Sequence, residues 1–170
     1  EILRCLVGSE MCIRDRYNIW SSYGVESEGV FIAYASVYGN TRKAADMLAS
    51  KLADKGVHVT VSDLARDDWA ECLEDAFRYG KLVLAAPTYN ADVFPAMKEF
   101  INHLTERNYQ NRTIGIIENG SWAPMAAKVM KGMFEKSKNI TFAENTVTVR
   151  SAVNAANEAQ IEALAEELKG

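Results

Sequence analysis

The sequence predicts an α/β fold in which a doubly wound, five-stranded parallel sheet carries helices on both faces. Three observations predict it. From Val30 onward, short β-branched or apolar runs alternate with longer segments whose apolar residues recur at helical spacing. The short runs are almost continuously apolar, as parallel strands covered on both sides must be. Glycine, proline and capping residues fall where the two kinds of segment meet. Right-handed crossovers between such units make three layers.

The strand candidates are residues 30–35, 57–61, 82–86, 113–117 and 146–149. Between the first two, Ala44, Ala45, Leu48 and Leu52 line one face of a helix that Gly56 ends, because glycine takes the left-handed cap at low cost. Trp69, Cys72, Leu73, Ala76 and Phe77 form a second stripe, with Asp67 or Asp68 as its cap and Gly80 as its stop. Met97, Phe100, Ile101 and Leu104 form a third, opened by Pro95, whose missing N–H does no harm in a first turn. The fourth comprises Ala126, Val129, Met130, Met133 and Phe134, and the last Ile161, Leu164, Ala165 and Leu168 behind an Asn154 cap.

A chain of 170 residues is long enough to bury one core without disulfides or a structural metal, and residues 30–170 are expected to be that domain. Residues 1–16 have no sustained period and are expected to be a non-native leader; residues 17–29, with Tyr17, Trp20 and Tyr23 among Ser and Gly, read as a linker. A net charge of -4 argues against a sequence-independent grip on nucleic acid. Cys5, Cys12 and Cys72 form no CxxC pair, and no His/Cys cluster has metal-ligand spacing, so no metal site is expected. No apolar run approaches the ~20 residues of a membrane span. The start lacks the pattern of a signal peptide, so a cytoplasmic protein is expected.

The first strand runs into Ser36, Val37, Tyr38, Gly39, Asn40 and Thr41, directly before the first helix. Such a turn points backbone N–H groups and the positive end of the helix dipole at one place. Ser36, Asn40 and Thr41 add side-chain donors, and Gly39 lets the backbone approach an anion. Taken alone, the turn suits a helix cap equally well. The glycine-rich signatures of nucleoside triphosphate and dinucleotide loops are absent, which leaves a loop suited to a terminal monophosphate. Here the chain resembles the flavodoxin family, whose [ST]-x-[T or aromatic]-G-x-T pattern is met by Ser36, Tyr38, Gly39 and Thr41, with Tyr38 where Thr is more common.

In parallel sheets of this type ligands bind beyond the carboxyl ends of the strands where strand order reverses, and flavodoxin illustrates the rule. The third strand leads into Pro87, Thr88, Tyr89 and Asn90, which offer a stiff turn, two hydrogen-bonding side chains and a flat ring. The fourth leads into Asn119, Gly120, Ser121 and Trp122, a tight turn with a second aromatic surface. In these three loops residues 17–170 resemble the C-terminal flavodoxin domain of the A-type flavoproteins, or flavodiiron proteins. The resemblance implies a sheet order of 2-1-3-4-5 and FMN as cofactor, with no catalytic side chain. It implies transfer of electrons from rubredoxin or a flavin reductase to a di-iron domain that reduces oxygen or nitric oxide, in a parent protein that can be a homo-oligomer. The chain thus reads as an electron carrier, and as part of an oxidoreductase if it is a piece of a longer protein. A free-standing FMN-dependent NAD(P)H:quinone oxidoreductase is the alternative, although no insertion supplies the longer loops it needs. A phosphoacceptor receiver domain is disfavoured, since Ser36 and Pro87 stand where its acidic residues belong. His58 and His103 are expected to be structural, and the acidic face of Asp67, Asp68, Glu71, Glu74 and Asp75 to be solvated.

Overall fold

The computed structural model describes residues 14, 15 and 17–170. The expected leader over 1–16 therefore lies, apart from Arg14 and Asp15, outside the described residues. The elements are β1 (Ser27–Tyr34), α1 (Asn40–Asp54), β2 (Val59–Asp63), α2 (Trp69–Arg78), β3 (Tyr79–Tyr89), β4 (Asp92–Val93), α3 (Pro95–Glu106), β5 (Arg112–Asn119), α4 (Ala126–Met133), β6 (Ile140–Phe142), β7 (Val147–Val149) and α5 (Ala155–Lys169).

The parallel sheet has the order β2-β1-β3-β5, and β6 and β7 share the position beyond β5. The order anticipated from the sequence holds, but its fifth strand is divided. β6 pairs with residues 112–114 and β7 with 117–119. Between them the Glu144 and Asn145 amides donate to the Glu167 carboxylate of α5 instead of to the ladder. A helix side chain thus replaces the strand partner that the gap removes.

Two further differences concern boundaries. Gly80 does not stop α2, because Tyr79 is already extended (φ -93°, ψ 149°) and the chain passes straight from helix to strand. Gly80 instead makes room, since a Cβ there would lie 3.2 Å from the Val25 side chain. β3 also runs on to Tyr89 and returns antiparallel through β4, so residues expected in a plain loop form a hairpin. Its two turn residues, Asn90 and Ala91, both have positive φ (53° and 61°), the twist that suits a two-residue hairpin.

The sheet separates two cores. On one side Phe31, Leu82, Leu84, Ile114 and Ile116 meet α2, α3 and α4; on the other Val30, Ile32, Val83, Ala85 and Ile117 meet α1 and α5. The predicted stripes face inward: Met97, Phe100, Ile101 and Leu104 of α3 are fully buried, each worth roughly 1.5–3 kcal/mol. Asp68 caps α2 through the Ala70 amide, Gly56 ends α1 with φ 79°, and Asn154 forms a reciprocal capping box with Asn157. At the N-terminal edge of the sheet, the buried Arg112 gathers carbonyls from three places. Its Nη1 donates to Tyr23, Gln110 and Asn111, and its Nη2 to Gly24 and Phe77. This side chain and the Glu26 amide, which donates to the Arg78 carbonyl, fasten the segment before β1 to the body.

Candidate functional site

All the strands of the parallel sheet point their carboxyl ends the same way, and the loops that leave β1, β3 and β5 meet there around a cleft of about 510 Å³. That volume is in the range of small-molecule sites. Ser36, Val37, Tyr38, Asn40 and Thr41 form one wall. Pro87, Thr88 and Tyr89 form the second, and Asn119, Gly120 and Ser121 the third. Of the residues expected at the site, Gly39, Asn90 and Trp122 do not line the cleft. Phe94 and Ser151, which were not expected there, do.

In the first loop Gly39 has φ 86°, and a Cβ on it would meet no atom within 4 Å, so what the position needs is the left-handed backbone rather than the space. Ser36 Oγ accepts from the Gly39 amide at 3.0 Å and closes the turn. α1 then begins with no side-chain cap and no acidic residue in its first turn. Its positive dipole end and free amides are left for an anion. No charged side chain is among the described residues that line the cleft. A phosphate there would be held by N–H and hydroxyl groups.

The second wall continues the sheet. Pro87 stands in register with Asn119, and the Phe94 amide donates to the Pro87 carbonyl across the hairpin. Tyr89 remains 58% exposed and meets the Phe94 ring edge-on, with centroids 6.0 Å apart. Asn90 belongs to the turn of the hairpin and does not line the cleft.

The third loop is tied to both others. Asn119 Nδ2 reaches the buried Thr41 hydroxyl and the Ser151 carbonyl, each at 3.4 Å. Thr88 Oγ1 accepts from the Met125 and Ala126 amides at 3.0 and 3.2 Å. Gly120 lies where these ties converge. A Cβ on it would sit 3.0 Å from Pro124 Cα and 3.2 Å from Thr88 Oγ1, and the backbone atom has no room to give. Trp122 is 97% exposed, outside the wall. The site is therefore an uncharged floor, more apolar than polar, with Tyr38 and Tyr89 exposed at its edge and Trp122 beyond the wall. Ser151 follows the divided fifth strand with φ 66°; its only signal in the sequence is its place just after a strand that ends at the same edge of the sheet.

His58 and His103 lie elsewhere. His58 Nε2 is 3.1 Å from the Tyr79 hydroxyl, and His103 stands edge-on to Trp69. Among the described residues no group of His, Cys, Asp and Glu could hold a metal ion, and no helix is long and apolar enough to cross a membrane.

Residues 31–153 match the family model described as a flavodoxin domain. The coenzyme F420H2 oxidase of Methanothermobacter marburgensis is 32% identical over 104 residues, which cover 61% of this chain and 25% of that protein. Among solved structures, rubredoxin oxygen:oxidoreductase from Desulfovibrio gigas superposes with a TM-score of 0.84 at 19% identity, covering 91% of this chain and 38% of that one. A flavodoxin from the domain Archaea gives 0.72 at 15% identity, covering 84% of this chain and 96% of that one. The chain spans about a quarter of the length of the oxidase and over nine-tenths of the flavodoxin.

Proposed function

We propose, since the chain belongs to the flavodoxin domain family, that its cleft binds FMN and that the module passes electrons between two redox partners. Relatedness to flavodiiron proteins supports electron transfer through a flavin. The choice of FMN rests on one observation, the uncapped and acid-free start of α1 beneath residues 36–41. A terminal monophosphate satisfies that helix end, and nothing in the uncharged cleft calls for an adenylate. Thr41, Ser36 and Asn40 would hold the phosphate, while Thr88, Asn119 and Gly120 would line the ring.

Bound flavin supplies the redox chemistry, and the chain's residues position the ring, limit its contact with water and set its potential. The donor is a rubredoxin-type protein or a flavin reductase, and the acceptor a di-iron domain of the kind the flavodiiron relatives suggest. Titration of the flavin-free protein with FMN and with riboflavin tests the reading. FMN is expected to bind far more tightly. Equal affinity would reduce the first loop to a helix cap, and sustained NAD(P)H consumption with a quinone would favour a free-standing oxidoreductase.

A further inference from the structure

α4 opens without a cap of its own. Met125 offers its first turn no side-chain hydrogen bond, and the free amides are met by side chains arriving from the ends of two strands. Met125 and Ala126 donate to Thr88 Oγ1 from β3, while Ala127 donates to the Glu118 carboxylate from β5 at 2.9 Å. Glu118 is held in turn by the Thr148 hydroxyl at 2.9 Å. The 120–124 loop is thus clamped where it joins α4.

A threonine hydroxyl has two acceptor sites and one proton. At Thr88 both acceptor sites are occupied by amides, and the residue lines the cleft. Only the proton is left to meet a ligand. We propose that Thr88 is a positioning and specificity residue with two separate tasks. Its oxygen fixes the 120–124 loop against β3, and its proton selects a hydrogen-bond acceptor on the bound molecule, a ring carbonyl or an unprotonated ring nitrogen. Gly120 is bound to the same arrangement, because a side chain there would press on the Thr88 oxygen. The identity of the ligand rests on the FMN reading; the clamp does not.

Thr88→Val removes the hydroxyl at nearly constant shape, and Thr88→Ser keeps it; Thr88→Ala replaces the valine variant if that one does not fold. In the flavin-free protein, hydrogen exchange at the Met125 and Ala126 amides is expected to quicken about tenfold in Thr88→Val, the loss of about one buried hydrogen bond, and to stay unchanged in Thr88→Ser. Unchanged exchange in Thr88→Val overturns the clamp. With FMN added, Thr88→Val is expected to bind about tenfold more weakly and to shift the flavin midpoint potential, with serine restoring both. A valine variant with the affinity and potential of the unaltered protein, or a serine variant that behaves like valine, overturns the donor role. If the unaltered protein takes up no FMN, the flavin reading and the donor role both fall, and amide exchange still decides the clamp.

Discussion

Thr41 is buried, accepts a long hydrogen bond from Asn119 and keeps its own proton for the cleft. Thr41→Ala is expected to weaken FMN binding by about 1–3 kcal/mol, the range for a hydrogen bond to a charged group in a dry site, with riboflavin affinity unchanged. Titration with both ligands separates the phosphate contact from general damage. The two aromatics flagged in the sequence part company in the structure. Tyr89 stands on the cleft wall and braces Phe94, whereas Trp122 projects almost wholly into solvent. Tyr89→Ala is therefore expected to cost roughly 0.5–1.5 kcal/mol of FMN affinity and to move the midpoint potential, with Trp122→Ala costing less. Equal losses would mean that Trp122 folds over the ring when it binds. Most of the site was legible because its residue types follow strand ends in a fixed order. Ser151 was not, since a serine with positive φ after a short strand carries no chemistry of its own.

The helices repeat that lesson at their own scale. Asn154 both caps α5 and is capped back by Asn157, so Asn154→Ala is expected to lower stability by about 1 kcal/mol, read from the denaturation midpoint. α5 is also strapped to α1 by charge: Lys51 and Lys55 each meet Glu162 at 2.6 Å, and Lys55 also pairs with Glu166. The hydrogen bonds from Lys51 and Lys55 hold the Glu162 carboxyl down to about 2, below its ordinary 4.5. A depressed carboxyl stabilises the fold in full above its ordinary value and loses that contribution as pH falls toward the depressed one. The difference in melting temperature between the unaltered protein and Glu162→Gln should thus be present above pH 4.5, vanish by about pH 2 and shrink with added salt, because the cluster is partly open to solvent. The major helices and central strands were readable because each carries an apolar set with a clear period. β4 was not, because Asn90-Ala91 lacks the glycine that usually announces such a turn. The divided fifth strand was hidden for a different reason. β6 has three residues, and its break is filled by Glu167, a contact with no local signature.

For the molecule as a whole, Arg112 is a main tie on the segment just before β1. Replacing it with Met would leave carbonyls of Tyr23, Gly24 and Phe77 facing a methyl group, and is expected to cost on the order of 3 kcal/mol. Proteolysis should then open residues 17–26 well before the rest of the domain; a variant cut no faster than the unaltered protein would show that other contacts fasten this segment.

That fastening has a spatial consequence. Arg112 secures the incoming chain at one end of the sheet, while the cleft opens at the other, and the eight residues of β1 separate them by about 26 Å at the usual rise of a strand. On the FMN reading, the segment that Arg112 holds at Tyr23 and Gly24 lies at the opposite end of the sheet from the flavin site. On the same reading, a redox partner would meet the flavin from the open side of the cleft, where Tyr38 and Tyr89 are exposed.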